Sequence, residues 1–341
     1  MDESNENSAI AAWLRERVGG DGEVVLERIG IGIGVANVLH SFAWDGVDYV
    51  MRRPPAGDAK LTASAGNMLR EARVLEAMAK TSVRHPHLVG MCEDPSVIGC
   101  PFLVMKKVDG FTPVDVLPAT HNSPQIKATF GLELVRALSE VAKVDWQAVG
   151  LSGYGKPDGF LTRQVDRWLW QLDSYRTRPL PCLDNVTQWL RENLPTPGPI
   201  GLMHGDYSLF NVMFGYDLPG RLAAIIDWDT STIGEPLMDF GHLLSRWDQP
   251  DEEPTTLGSS DIVDRTGITS RAAMTELYAD LTGFDLSNIT YYQVLSLFKL
   301  GCLMEGHFAN EMSGVASGGR FADSAPGLFR DALRIAQGGR R

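Results

Sequence analysis

Two aspartates and one asparagine near the centre of the chain have the types and spacing of a phosphoryl-transfer site. Asp206 follows a histidine and a glycine, Asn211 comes five residues later, and Asp227 ends the apolar run Leu222–Ile226. A positioned aspartate can orient and deprotonate an attacking hydroxyl, while carboxylate and amide oxygens are ligands that Mg²⁺ prefers. The set therefore indicates transfer of a phosphoryl group from Mg-ATP, with Asp206 as the base and Asn211 and Asp227 as metal ligands.

The predicted local structure explains how these three side chains could converge. A tight loop at Gly205-Asp206 can point one carboxylate at the acceptor, and Asn211 returns to the same place from the far side of the loop. The strand Leu222–Ile226 would then deliver Asp227 beside them. We predict that the three groups line one cleft between two lobes, and that His204 fixes the loop by hydrogen bonding rather than by titrating in catalysis.

Composition indicates a soluble enzyme and excludes some partners. The chain has 341 residues, long enough for two separate cores, and a formal net charge of −12. An acidic surface does not attract nucleic acid or an anionic membrane, so neither is expected as a partner. The four cysteines form no metal-type pairs, and no signal-like or membrane-spanning run is present, which favours a cytoplasmic location. Oligomeric state is left open.

Hydrophobic patterns predict a sheet-containing first part and a mostly helical second part. The predicted strands are Val24–Ile29, Val35–Trp44, Val47–Arg52, Leu88–Met91 and Phe102–Val108, with helices at Ile10–Val18 and Asn67–Lys80. Further helices are predicted around Ile126–Val141, Val165–Leu172, Trp189-Leu190, Tyr292–Phe308 and Leu328–Ile335, and a surface loop at Asp248–Ser260. We therefore expect two domains, residues 1–108 and 109–341, joined by a hinge at about Met105–Gly110.

The central motif also resembles that of a known family. His204-Gly-Asp206, then Asn211, then Ile226-Asp-Trp228 resembles the Brenner-type motif of the aminoglycoside phosphotransferase and choline kinase superfamily. Flanking stretches are similar to a subgroup that includes bacterial phosphotransferase family proteins and the kinase-like domain of some acyl-CoA dehydrogenases. The resemblance runs from about Gly30 to about Met312. It implies an α+β, bilobal protein-kinase-like fold, with an antiparallel sheet and a helix in the N-lobe, and ATP and Mg²⁺ as cofactors.

A tripeptide downstream offers a second candidate for the metal. Asp239-Phe240-Gly241 matches the metal-binding tripeptide of protein kinases, but it lies in Pro236–Leu244, which is predicted to begin a helix. The metal is therefore assigned to Asp227, which ends a strand, with Asp229 as a weaker candidate for a second contact. The resemblance implies that Asp239 braces the catalytic loop, and a carboxylate near a helix N-terminus is favourable in any case.

The first lobe carries the residues expected to hold the nucleotide. A glycine-rich turn lets backbone N–H groups approach phosphates, and its glycines are Gly30, Gly32 and Gly34. Kinase-like folds usually carry a lysine on the third strand, whereas Arg52 stands here, and we expect Glu71 to orient it. A guanidinium can fork onto phosphate oxygens, so an arginine at this position does not exclude activity, and whether it reduces activity is left open. The adenine is expected against the hinge residues Val104, Met105 and Lys106, with Val50 beneath it.

The acceptor is a small molecule with a hydroxyl group, whose identity the sequence leaves open. The resemblance offers aminoglycosides or amino alcohols, or hydroxyacyl-CoA compounds, for which the local basic cluster is Arg163, Arg167, Arg176 and Arg178. We expect the segments Gly153–Arg178 and His307–Phe321 to choose between them.

Two other classes of protein were weighed. A nucleotide-binding pseudokinase is favoured by Arg52 and disfavoured by the intact Asp206, Asn211 and Asp227, whereas a dinucleotide-binding oxidoreductase lacks a βαβ unit after the glycines. The remaining solitary histidines, His121, His242 and His307, are expected to be packing or surface residues.

Overall fold

The computed structural model describes residues 3–30, 37–55, 58–114, 116–258, 265–313 and 321–339. These form two compact units. The first comprises Met1–Gly110, Gln147–Leu151 and Ala223–Ser231, and the second Phe111–Trp146, Ser152–Leu222 and Thr232–Arg341. Asp227 thus belongs to the unit that is built mainly from the first part of the chain.

An antiparallel five-stranded sheet, in the order β1-β2-β3-β5-β4, forms the centre of the first unit. Its strands are β1 (Glu27–Ile29), β2 (Val38–Trp44), β3 (Val47–Arg53), β4 (Leu88–Cys92) and β5 (Phe102–Lys106), and its helices are α1 (Glu3–Val18) and α2 (Asp58–Met78). Asp45-Gly46 closes the β2–β3 hairpin, and both residues have positive φ, at 47° and 75°. The predicted strands are present, although β1 begins three residues later than expected, and Val24 packs in the core outside the strand.

Helix α1 packs against this sheet through one apolar face. Ile10, Trp13 and Leu14 are buried with strand residues such as Phe102, whose ring lies 5.0 Å from that of Trp13. Val18, the last residue of the predicted helix Ile10–Val18, lies outside this face, since it is 43% exposed at the end of the helix. The helix therefore buries two turns rather than its full length.

The second unit is mainly helical. Its helices are α3 (Pro124–Ala142), α4 (Gln164–Asp173), α5 (Leu183–Glu192), α6 (Leu237–Ser245), α7 (Arg271–Thr282), α8 (Ile289–Met312) and α9 (Ser324–Ala336). The short strands are β6 (Gly201–Met203), β7 (Val212–Phe214), β8 (Leu222–Ile225), which continues into the first unit, and β9 (Thr232–Gly234), which pairs antiparallel with β6. Helix α7 was not predicted from the sequence. Among the described residues, no helix combines the length and apolar composition needed to cross a bilayer.

The segment after α6 differs from the predicted surface loop. Asp248 is fully buried, and its Oδ1 accepts hydrogen bonds from the backbone N–H of Thr255 at 3.1 Å and the hydroxyl of Thr255 at 2.8 Å. A buried carboxylate must find donors, and this loop supplies them by folding back on itself. Composition indicated a solvated segment because it shows acidic residues but not their partners.

Close packing of α6 on α8 depends on a glycine. A Cβ atom at Gly241 would lie 2.7 Å from the carbonyl carbon and the Cβ of Tyr292, which is itself buried in α8. Backbone atoms in a helix cannot yield as the end of a flexible side chain can. The two helices therefore approach each other at the closest distance that their backbones allow at this point.

We predict that Gly241→Ala destabilises the protein although alanine favours helices. Overpacking against a rigid neighbour typically costs about 1–3 kcal/mol, more than the gain of about 1 kcal/mol in helix propensity. The matched control is Gly306→Ala in α8, where the nearest atom is on the ring of Tyr175 at 3.2 Å. Urea unfolding measures both. Equal stability of the two variants would show that α6 and α8 are not tightly coupled at Gly241.

Candidate active site

The loop that carries Asp206 is held by a buried carboxylate from α6. Oδ2 of Asp239 accepts a hydrogen bond from the backbone N–H of His204 at 2.6 Å, and Oδ1 accepts one from that of Gly205 at 2.8 Å. Gly205 has φ +88°, a conformation that a Cβ would disfavour. Asp239 thus braces the loop from within α6, where it is 1% exposed.

His204 and Lys299 hold the same loop from other directions. Nδ1 of the buried His204 accepts from the backbone N–H of Asp206 at 3.3 Å, which agrees with the structural role predicted for this histidine. Nζ of Lys299, on α8, donates to the carbonyl oxygen of Gly205 at 2.6 Å. The backbone of His204 and Gly205, directly before Asp206, is therefore fixed by groups from two helices.

Both oxygens of the Asp206 carboxylate face protein donors. Nδ2 of Asn211 donates to Oδ2 and to the carbonyl oxygen of Asp206, each at 2.9 Å, and Nε2 of His242 lies 3.2 Å from Oδ1. Burial alone would raise the pKa of Asp206, but the hydrogen bond with His242 and the charges of Arg246 and Lys299 outweigh it and hold this pKa well below its usual range. Asp206 is therefore ionised, and its side chain remains 44% exposed.

His242 corrects an expectation. It was expected to be a packing or surface residue, yet it lies in α6 between Asp239 and Arg246, the residue that follows the helix, with its ring against Asp206. Arg246 and Lys299 were also not foreseen. The i, i+3 and i+7 spacing of Asp239, His242 and Arg246 was the available signal, because residues so spaced share one face of a helix.

A second polar group belongs to the first unit and centres on Arg52. Nη1 of Arg52 donates to Glu71 Oε2 and to Asp227 Oδ1, each at 2.8 Å, and Nη2 donates to Asp229 Oδ2 at 3.1 Å. The structure thus brings Glu71 to Arg52, as the sequence predicted, and in a buried rather than a surface pair. Burial raises the pKa of Glu71 to about 7, although the guanidinium of Arg52 opposes the shift. Arg53 lies apart from this group and pairs with Glu6.

Asp227 has an unusual backbone conformation. Its φ is +64° and its ψ +62°, in the left-handed region, and Ile226 alone separates it from the end of β8. A 3₁₀ turn begins directly after it, at Trp228. Such outliers in non-glycine residues carry strain and cluster at functional sites. The side chain is 44% exposed, so a carboxylate oxygen is accessible.

Asp227 in the first unit and Asn211 in the second each carry an oxygen of the type that binds Mg²⁺. Mg²⁺ usually takes one or two carboxylates and completes its octahedral shell with water and phosphate oxygens. The accessible carboxylate of Asp227 matches this need, and Asn211, whose amide donates through Nδ2, has an amide oxygen of the required hard type. Within the described residues, no three His, Cys, Asp or Glu side chains are grouped as a ready-made metal site.

The other residues predicted to bind nucleotide are placed as follows. Val50 faces Met105 across β3 and β5 and both are partly exposed, while Lys106 is exposed at the end of β5. Val104 is fully buried in the core with Met51, so it could contact a ligand only through its backbone. Gly30 follows β1 with φ +68°, whereas Gly32 and Gly34 lie outside the described residues.

Comparison with known proteins identifies the family. The model of the phosphotransferase enzyme family matches residues 27–259. The chain belongs to the phosphotransferase enzyme family. The crystal structure of a putative aminoglycoside phosphotransferase from Ralstonia eutropha JMP134 is 30% identical, with a TM-score of 0.80 and coverage of 97% of this chain and 98% of that one. The protein-kinase-like, α+β fold expected from the resemblance is confirmed.

Two further relatives set limits on the comparison. Acyl-CoA dehydrogenase family member 11 of Rattus norvegicus is 30% identical over 90% of this phosphotransferase, which spans only 40% of the length of that relative. A thermostable mutant of aminoglycoside phosphotransferase APH(4)-Ia, in ternary complex with ADP and hygromycin B, has a TM-score of 0.60 at 15% identity, with coverage of 97% of this chain and 99% of that one. The latter likeness shows the fold alone.

We predict that Arg52→Met destabilises the protein strongly. Glu71, whose side chain is 3% exposed, would be left without its cation, and breaking a buried ion pair from one side typically costs about 3–5 kcal/mol. Arg53→Met is the matched control on the same strand, since its pair with Glu6 is more exposed and should be worth about 1 kcal/mol or less. Chemical unfolding of both variants measures the difference. If the two losses are equal, the Arg52 network does not hold this part of the fold.

Proposed function

We propose that this phosphotransferase moves the γ-phosphate of ATP to a hydroxyl group of a small molecule, with Asp206 as the catalytic base. The observation that carries the proposal is the state of Asp206, an ionised, accessible carboxylate whose two oxygens face fixed donors. Such a group can orient an attacking hydroxyl with little motion of its own. Phosphoryl transfer depends mainly on this kind of positioning and on charge neutralisation.

The reaction follows from what Asp206 can accept. The acceptor hydroxyl donates its hydrogen bond to Asp206, its oxygen forms the new bond to the γ-phosphorus, and the bond from that phosphorus to the β–γ bridging oxygen breaks. The hydroxyl proton passes to Asp206, and ADP leaves with the bridging oxygen. Asp239 and Lys299 contribute by keeping the backbone of residues 204–206 in place, because each bonds to a backbone group beside Asp206.

Nucleotide and metal binding are assigned to the residues around Arg52. The guanidinium has several N–H groups in a fixed plane. It can donate hydrogen bonds to phosphate oxygens once the carboxylates beside it bind a cation instead. Asp227 and Asn211 are the proposed ligands of Mg²⁺, which when bound would neutralise phosphate charge. The choice of ATP is supported by the ADP bound to APH(4)-Ia, which shares the fold. Gly30, Gly32, Gly34, Val50 and the stretch Val104–Lys106 remain the proposed contacts of the nucleotide.

The acceptor stays open between a cationic aminoglycoside or amino alcohol and a hydroxyacyl-CoA. The relatives include both aminoglycoside phosphotransferases and an acyl-CoA dehydrogenase family member, so they do not choose between these acceptors. Most arginines of the basic cluster expected for CoA are bonded within the chain. Arg178 forms a bidentate pair with the buried Glu305, at 2.9 and 2.7 Å, and Arg176 pairs with Asp173. Arg163 donates to the carbonyl oxygens of Lys156 and Asp158. Binding of CoA phosphates by these three arginines would compete with those partners.

Mg²⁺-dependent nucleotide binding should depend on Asp227 more than on Asp229. Asp227→Asn keeps the shape and tolerates positive φ, but it removes the charge that the metal needs. We expect about a tenfold or larger rise in the Mg²⁺ concentration that supports ATP binding, measured by calorimetry, since changes of this size follow loss of groups around a metal. Asp229→Asn, which likewise removes a negative charge beside Arg52 and keeps an acceptor oxygen, is the control. The metal assignment is wrong if Asp229→Asn has the larger effect.

Asp206→Asn should reduce turnover by about 10²-fold or more while leaving ATP affinity nearly unchanged, because it removes general-base help without altering shape. The assay couples ADP release to a panel of hydroxyl compounds that includes kanamycin, choline and a hydroxyacyl-CoA, with ATP and GTP as donors. Asp280→Asn, an exposed carboxylate on α7, is the control. If the wild-type protein binds nucleotide but transfers phosphate neither to any of these compounds nor to water, the pseudokinase alternative is favoured.

A further inference from the structure

The imidazole of His242 is enclosed by three polar partners. Its Nδ1 lies 2.6 Å from the hydroxyl oxygen of Ser296 on α8, and its Nε2 lies 3.2 Å from Oδ1 of Asp206 and 3.3 Å from Nη1 of Arg246. The residue is only 5% exposed. Burial lowers the pKa of His242, although Asp206 opposes the shift, so the ring is neutral at neutral pH.

A neutral imidazole carries one N–H and one lone pair, and its surroundings decide which nitrogen has the proton. The hydroxyl of Ser296 can donate or accept, so it suits either tautomer. Nε2 decides the matter, because it faces an acceptor in Asp206 and a donor in Arg246. A carboxylate offers only lone pairs, and against a bare Nε2 it would meet another lone pair at 3.2 Å.

Arg246 depends less on Nε2 than Asp206 does. Its Nε already donates to the carbonyl oxygen of Leu257 at 2.8 Å, and its charge is attracted to Asp206 and Asp248 directly. A guanidinium has five N–H groups and keeps other ways to be satisfied. A hydrogen bond from Nε2 to an ionised carboxylate is also stronger than one between neutral groups.

We infer that His242 is a positioning residue that donates from Nε2 to Oδ1 of Asp206, in a tautomer that Ser296 accommodates at Nδ1. With Asn211 donating to Oδ2, the carboxylate is gripped at both oxygens and cannot rotate about its own bond. The lone pairs that remain have a fixed direction, in which the acceptor hydroxyl must approach. This role rests on the proposed function of Asp206 as the base.

The kinetic test compares His242→Gln with His242→Leu. Glutamine has an amide N–H that can replace the Nε2 donor, whereas leucine fills similar space with no donor. We expect His242→Leu to lower kcat by about 10²-fold, the effect of misplacing a reacting group by about 1 Å, with KM for ATP unchanged and most activity restored in His242→Gln. ATP hydrolysis, with water as the acceptor, can serve as the assay.

Two buried serines beside His242 provide a matched pair of variants. Ser296→Ala removes the partner of Nδ1, whereas Ser245→Ala removes a hydroxyl that donates to the backbone carbonyl of His242 at 2.9 Å. We expect Ser296→Ala to lower kcat and Ser245→Ala to leave it unchanged, at similar melting temperatures. Equal kcat in the leucine and glutamine variants, or losses that follow melting temperature alone, would assign His242 to packing and overturn the inference.

A spectroscopic test separates this inference from the proposed function. ¹⁵N NMR of the ring nitrogens, assigned by comparison with His242→Gln, should show His242 with a protonated Nε2 and a bare Nδ1. In Asp206→Ala the acceptor is gone and Arg246 remains, so the proton should move to Nδ1. A bare Nε2 in the wild type, or no change in Asp206→Ala, overturns the inference. If the wild-type protein transfers no phosphate but both tautomer results are observed, the proposed function of Asp206 is wrong and the hydrogen bond from His242 to Asp206 is confirmed.

Discussion

The close packing of α6 on α8 is the constraint on which the site depends. Gly241 allows the two helices to touch at the backbone of Tyr292, and the residues that hold the loop of Asp206 extend from this pair of helices. Asp239 and His242 come from α6, and Lys299 comes from α8. A small shift of α6 relative to α8 would displace Asp239, which holds the loop, together with His242, which contacts Asp206. Precision at the loop is thus a consequence of core packing, because well-packed interiors transmit displacement.

The ionisation of the acidic groups in the site is set by their local hydrogen bonds and neighbouring charges rather than by the net charge of the chain. The chain is acidic overall, yet Asp206 lies among His242, Arg246 and Lys299, which keep it ionised despite partial burial. The backbone N–H groups that bond to Asp239 satisfy a second acidic group close by without adding a cation. A low-dielectric setting strengthens each of these contacts, and it also penalises any acidic group left without a donor.

In the network at Arg52 the roles are reversed, because one cation is surrounded by several carboxylates. One guanidinium serves Glu71, Asp227 and Asp229, which a lysine could not do with the same geometry because its ammonium is a single point charge. A buried ion pair is weak evidence of stability in itself, since desolvation offsets much of the attraction. The value of Arg52 is that it fixes the direction of the strand-end carboxylates. An arginine, at a position where kinase-like folds usually carry lysine, therefore suits these three carboxylates.

The sequence alone determined most of the secondary structure and the general class of the protein. Hydrophobic patterns predicted the five strands of the first unit and most helices of the second, because they depend on local pattern. The protein-kinase-like fold and the phosphotransferase class were predicted from the resemblance of the motif that contains Asp206, Asn211 and Asp227. The pairing of Arg52 with Glu71 was also foreseen, since the resemblance to kinase-like folds supplied the partner.

Only the tertiary structure decided which distant side chains surround Asp206. Strands β7, β8 and β9 lie between Asp206 and His242 along the chain, and helices α6 and α7 also precede Lys299. Nothing in the spacing of the chain relates a residue of α8 to a loop near its centre. The burial of Asp248 and the membership of Asp227 in the first unit could not be predicted either, because both depend on contacts between distant parts of the chain. Sequence patterns report which face of an element is buried, whereas the partner on that face is set by the packing of the elements in three dimensions.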